Sequence, residues 1–182
     1  MKVIETGFEG LLVIEPKVHK DNRGYFFESY NRRDFDKAGI SGKFVQDNQS
    51  RSGQYVIRGL HFQIPPHAQT KLVRTISGRI LDVVLDLRKG QKTFGKTYSV
   101  ELSSENQRQL LVPRGFAHGF SVLSDGAEVL YKCDDYYNQE HEKGIHHNDP
   151  ALGIDWGLES ASPLVSEKDM VLPLMAEIPD YF

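Results

Sequence analysis

A single cysteine, Cys133, in a chain of 182 residues leaves no partner for an internal disulfide and cannot furnish a cysteine-rich metal knuckle. An excess of one charge is missing too. The 22 Lys and Arg stand against 25 Asp and Glu, a formal net charge of −3, so bulk charge offers no hold on a nucleic acid. No apolar run approaches the roughly 20 residues that a bilayer-spanning helix needs, and Met1-Lys2-Val3-Ile4-Glu5 carries no hydrophobic signal core. These absences predict a cytoplasmic protein with no membrane or nucleic-acid partner. Repeats, low-complexity tracts and linkers are also absent before Asn148, which predicts one domain over residues 1–182.

What the chain does have is β signal. Short runs rich in Val, Ile, Leu, Phe and Tyr recur between Gly, Asp-Gly, Ser-Gly and Pro punctuation, and without helical crossovers such strands predict a sandwich or barrel. One helix is expected over Arg32 to Ala38, with Asn31 as N-cap, Asp34 in the first turn and Gly39 as the stop. Between Gly78 and Arg88, Leu81, Val83, Leu85 and Leu87 make an apolar face, and Asp82, Asp86 and Arg88 a polar one. Asp125-Gly126, between alternating strands, predicts a two-residue hairpin. Its register pairs Val122 with Val129, Phe120 with Tyr131 and His118 with Cys133, all facing inward, and leaves Ser121, Glu128 and Lys132 to solvent. On that pattern alone, Tyr131 and His118 read equally well as core residues and as site residues. Beyond Asn148, Pro150, Pro163, Pro173 and Pro179 predict an irregular tail wrapped on the body.

The run Pro113-Arg114-Gly115-Phe116-Ala117-His118 has a P-x-G-x-x-H spacing that resembles the second motif of cupins, the small jelly-roll barrels. In the place of the first motif, metal-binding cupins carry two imidazoles as H-x-H and then a Glu. This chain has His61-Phe62-Gln63, then Lys71 and Gly78. An amide replaces one imidazole, and an ammonium that repels divalent cations replaces the carboxylate, so no metal and no cofactor are expected. His61, Lys71, His118 and Tyr131 instead suit proton transfer beside a carbonyl. A base removes the α proton, and one preorganised donor on the enolate oxygen is worth about 2.7–4 kcal/mol. A separate acid then returns the proton to the opposite face, which makes an epimerase.

Further segments extend the likeness over almost the whole chain: Asp21 to Glu28, Gln46 to Ser50, Arg58 to Gln63, Lys71-Leu72-Val73, Tyr131-Lys132 and Ser166 to Asp169. Together they resemble the dTDP-4-dehydrorhamnose 3,5-epimerase family, the deoxysugar branch of the cupins. The resemblance implies a mainly β, cupin-like double-stranded β-helix with short helices. It implies epimerisation at C3 and C5 of dTDP-4-dehydro-6-deoxy-D-glucose, both carbons being acidified by the C4 ketone; the alternative is a mono-epimerase or keto-isomerase on a related sugar. By likeness His61 is the base, oriented by Asp169, Tyr131 is the acid and Lys71 stabilises the enolate. Arg23 and Arg58 clamp the diphosphate, Tyr137 stacks on thymine, and Phe26, Glu28, Gln46, Asp47, Asn48, His118, Glu142 and Lys168 contact sugar or nucleotide. In this family an N-terminal strand carrying Arg23 and Glu28 is exchanged between subunits, which implies a homodimer. Arg58 and His61 differ by three in number, so a bulge at Gly59 or an approach of Arg58 from the rim is needed to aim both at one site. The chain departs from the family at His147, where a Trp is usual, and at Gly157, where a Pro is usual.

Overall fold

A computed structural model describes residues 1–159 and 161–182. The strands are β1 (Lys2–Glu5), β2 (Leu12–Glu15), β3 (His19–Asp21), β4 (Gly24–Phe26), β5 (Gln46–Gly53), β6 (Ile57–Gln63), β7 (Lys71–Ser77), β8 (Arg79–Asp86), β9 (Thr97–Ser103), β10 (Gln109–Val112), β11 (Phe116–Val122), β12 (Gly126–Cys133) and β13 (Glu142–Gly144), with helices α1 (Arg32–Lys37) and α2 (Glu167–Met170). One sheet runs in the order β1-β2-β10-β7-β12-β5 and the other β13-β6-β11-β8-β9, while β3 and β4 form a separate ribbon. From β5 to β8, and again from β9 to β13, successive strands alternate between the two large sheets, which is the cupin-like jelly roll expected. Among the described residues no helix is long and apolar enough to cross a membrane.

The α1 signals act as read. The Asn31 side chain accepts from the Arg33 amide, and Gly39 takes a φ of +77°. Phe35 of that helix, with Ile40 just beyond it, covers Ile14, Leu72 and Leu111 on the outside of the six-stranded sheet.

Two strand readings need correction. The Asp125-Gly126 hairpin does not form: β11 pairs with β6 and β8 in one sheet, whereas β12 pairs with β5 and β7 in the other. The connection is a corner between sheets, packed against a second corner at Gly78, where an added Cβ would lie 2.0 Å from the Gly126 carbonyl oxygen. Ser124 Oγ joins them by accepting from the Arg79 amide at 2.9 Å. An Asp-Gly marks a reversal but not which partner each arm chooses, and β11 is buried along its whole length between β6 and β8. Ser121, expected in water, is fully buried and donates to the Trp156 carbonyl at 2.6 Å.

The second correction concerns β8. Its Asp82 face is the barrel interior, where Ile80 and Val84 join Val13, Val73, Leu110 and Val129 of the facing sheet. Its Val83 and Leu85, with Leu87 just beyond the strand, face outward beneath the tail, against Trp156, Leu158, Ile178 and Phe182. Asp86 is buried and satisfied by Arg88 Nε at 2.8 Å, Arg88 Nη2 at 2.7 Å and the Thr93 hydroxyl at 2.6 Å. The tail therefore supplies the second core that alternation alone cannot reveal.

Candidate active site

Between the sheets lies a cavity of about 590 Å³. One wall is built on β6 and β11, where His61 pairs in register with His118 and the register then shifts before Phe120 meets Arg58. This is a bulge at Gly59, which has a φ of +117°. A Cβ there would sit 2.6 Å from Gly119 Cα and 2.7 Å from the His118 carbonyl oxygen, so only glycine fits. The extra residue lets Arg58 and His61 line the same cavity.

Asp169, buried in a short tail helix, accepts His61 Nε2 at 2.8 Å through Oδ1, while its Oδ2 accepts the Gly59 amide at 3.2 Å. Ser166 caps that helix by accepting the Asp169 amide at 3.1 Å. Burial alone would raise the Asp169 carboxyl, but the hydrogen bonds from His61, Gly59 and Ser166 prevail and hold it below the ordinary carboxylate value. Asp169 is thus an anion with one oxygen assigned to the imidazole, leaving His61 Nδ1 for whatever enters the cavity.

The facing wall comes from the other sheet. Lys71 on β7 and Tyr131 on β12 point inward, with Lys71 Nζ 5.9 Å from the centre of the Tyr131 ring. Burial pushes the Lys71 ammonium below its ordinary value and the Tyr131 phenol above its own. Burial therefore favours the neutral phenol, and it sets the Lys71 amine in a poorly hydrated place. The His61 imidazole and the Tyr131 phenol thus project from opposite sheets.

Behind the cavity His118 Nε2 lies 2.9 and 3.0 Å from the two oxygens of Asp82, a carboxylate that is fully buried. Asp82 was not among the sequence candidates. Its signal was an acid inside the run Ile80-Leu81-Asp82-Val83-Val84, where an unpaired charge would be costly.

At the mouth, Tyr137 donates its hydroxyl to Glu142 at 2.8 Å and Lys168 pairs with the same carboxylate at 2.6 Å. Burial would raise Glu142, but the bonds from Lys168 and Tyr137 outweigh it and hold the carboxyl low. Gln46, Asn48 and Arg58 complete the lining. Four candidates lie elsewhere. Alternation along β5 turns Asp47 outward, where it pairs with Lys132 at 2.9 Å. Arg23, Phe26 and Glu28 sit on or beside the β3–β4 ribbon, away from this cavity, and Phe26 is 69% exposed.

The donor set does not fit a divalent cation. Lys71 supplies an amine where a carboxylate ligand would be needed, the Gln63 amide is bonded to backbone groups, and among the described residues no three His, Cys, Asp or Glu side chains converge on one point.

A family model described as dTDP-4-dehydrorhamnose 3,5-epimerase matches residues 5–177. The chain is 53% identical over 170 residues to the dTDP-4-dehydrorhamnose 3,5-epimerase of Pseudomonas aeruginosa, covering 93% of each. The crystal structure of dTDP-4-dehydrorhamnose 3,5-epimerase from Elizabethkingia anophelis superposes with a TM-score of 0.92 at 50% identity, covering 97% of both chains. The Legionella pneumophila dTDP-6-deoxy-D-glucose-3,5-epimerase, solved in complex with dTDP-4-keto-L-rhamnose, gives a TM-score of 0.93 at 46% identity and covers 98% of this chain and 94% of that one. With the fold, the opposed imidazole and phenol, and sequence identity near one half all in agreement, this chain belongs to the dTDP-4-dehydrorhamnose 3,5-epimerase family.

Proposed function

We propose that the chain converts dTDP-4-dehydro-6-deoxy-D-glucose to dTDP-4-dehydro-L-rhamnose by inverting C3 and C5. The observation that carries this is the placement of His61 and Tyr131 on opposite sheets of one cavity, with Lys71 beside the phenol. His61 Nδ1 takes the proton α to the C4 ketone, and the imidazolium that forms is balanced by Asp169. Charge moves to O4 as the enolate develops, and the Lys71 ammonium stabilises it there. Tyr131 returns a proton from the other face. His118, anchored by Asp82, offers its second nitrogen to the sugar.

The remaining contacts follow from charge and shape. Arg58 holds the diphosphate at the rim with a planar guanidinium suited to bidentate contact. Tyr137 supports the thymine, with Glu142 and Lys168 beside it, and Gln46 and Asn48 meet the nucleotide or sugar. A homodimer that exchanges the β3–β4 ribbon brings Arg23, Phe26 and Glu28 to the partner's cavity. The exposure of Tyr25 at 56% and Phe26 at 69% supports a ribbon made to be covered.

Incubation with the substrate in heavy water, followed by proton NMR, tests the reaction. Exchange and inversion at both C3 and C5 are expected. A single inverted carbon would assign the chain to the mono-epimerases, and no exchange at either would overturn the proposal. For the dimer, a mixture of Arg23→Ala and His61→Asn chains should regain activity by forming one intact cavity; failure to regain it removes the exchange.

A further inference from the structure

Gln63 stands where metal-binding cupins carry an imidazole, yet its amide turns away from any ligand role. It is 5% exposed, and all of its hydrogen bonds go to backbone. Nε2 donates to the His67 carbonyl at 2.7 Å and the Tyr136 carbonyl at 3.2 Å, while Oε1 accepts the Asn138 amide at 2.7 Å. The last two partners flank Tyr137 on either side. Tyr137 itself donates its backbone amide to Gln46 Oε1 at 3.0 Å. A neutral imidazole has one donor and one acceptor and could not serve two carbonyls and an amide at once, and a carboxylate has no donor for either carbonyl. A primary amide meets all three.

We infer that Gln63 is a positioning residue that clamps residues 136–138, so that Tyr137 is held ready at the cavity mouth as the platform for the nucleobase of the nucleoside diphosphate sugar. Tyr137 is 54% exposed, and without a fixed backbone an aromatic so placed would have to be ordered anew at each binding event. The clamp moves that ordering cost into folding. It acts on nucleotide binding and leaves the chemistry at His61 and Tyr131 alone.

The inference rests on the reading of Tyr137 as the thymine support, and a double-mutant cycle separates the two. Binding of dTDP is measured by calorimetry for the wild type, Gln63→Met, Tyr137→Ala and the double variant, with kcat and KM alongside. Gln63→Met should weaken dTDP and raise KM by about tenfold while kcat stays within about threefold. In the Tyr137→Ala background it should add less than about twofold. Full dTDP affinity in Gln63→Met beside a weakened Tyr137→Ala overturns the clamp and leaves the thymine reading standing. Unchanged affinity in Tyr137→Ala overturns both. Additive losses, or a fall in kcat with KM preserved, show that Gln63 acts by another route. If Gln63→Met does not fold, Gln63→Glu, which keeps the Asn138 acceptor and loses both donors, carries the same expectations.

Discussion

Replacing Asp169 with asparagine isolates the charge of one carboxylate while preserving its shape, and the structure sets how much should be lost. Asp169 offers two acceptors, Oδ1 to His61 and Oδ2 to the buried Gly59 amide. Asparagine has one. If its oxygen keeps the Gly59 amide, its NH2 faces His61 Nε2 and the imidazole must carry its proton on Nδ1, the atom that should receive one from the sugar. If instead the oxygen keeps His61, two N–H donors confront each other in a buried place, at a cost of about 1–3 kcal/mol. The competent tautomer is therefore populated roughly 5- to 150-fold less. Loss of the anion opposite a developing imidazolium removes about a further 1.4 kcal/mol, or tenfold, as a charge-assisted bond becomes a neutral one. Together the expected fall in kcat is about 10²–10³-fold, read from conversion of the 4-keto sugar under single-turnover conditions. Affinity for dTDP and the melting midpoint serve as controls and should stay near wild type. A kcat within threefold of wild type, with the fold intact, would refute the assignment of His61 as a base oriented by Asp169.

Three further predictions address the rest of the site. Tyr131→Phe should lower inversion by about 10²–10⁴-fold while deuterium uptake driven by His61 outpaces it, whereas His61→Asn should suppress both; NMR in heavy water separates the cases. Burial lowers Lys71 from an ordinary 10.5 and raises Tyr131 from 10.0, and both act protonated, so the alkaline loss of activity should begin at a lower pH than an exposed lysine would set, as pH rises through the Lys71 value. Lys71→Arg, which stays charged, should move the alkaline limb of kcat/KM upward, and an unmoved limb would assign it to another group. Gly59→Ala should cost about 2–5 kcal/mol, because a Cβ meets backbone at Gly119 and His118 and the φ is unfavourable for an L residue; urea unfolding with an unchanged m-value measures it.

Legibility in the sequence followed the range of the interaction. The α1 boundaries were readable because an Asn cap and a Gly stop act within one turn. His61, Lys71 and Tyr131 were legible as cavity residues through the resemblance to the cupin and epimerase motifs, and the need for a bulge near Gly59 showed in the odd spacing of Arg58 and His61. The Asp125-Gly126 corner was not, since a turn signal carries no information on which sheet each strand joins. The β8 face was misread because its cover, Trp156 and Leu158 with the final residues, lies some 70 positions or more further along the chain. The role of Gln63 was hidden for the same reason: its partners Tyr136 and Asn138 are brought near only by folding.

The pairing of His61 with Asp169 spans 108 residues, from a barrel strand to a one-turn helix in the tail. The proposed base thus takes its orientation from a part of the chain made late in synthesis, and a truncation ahead of Ser166 would deprive His61 of its anion.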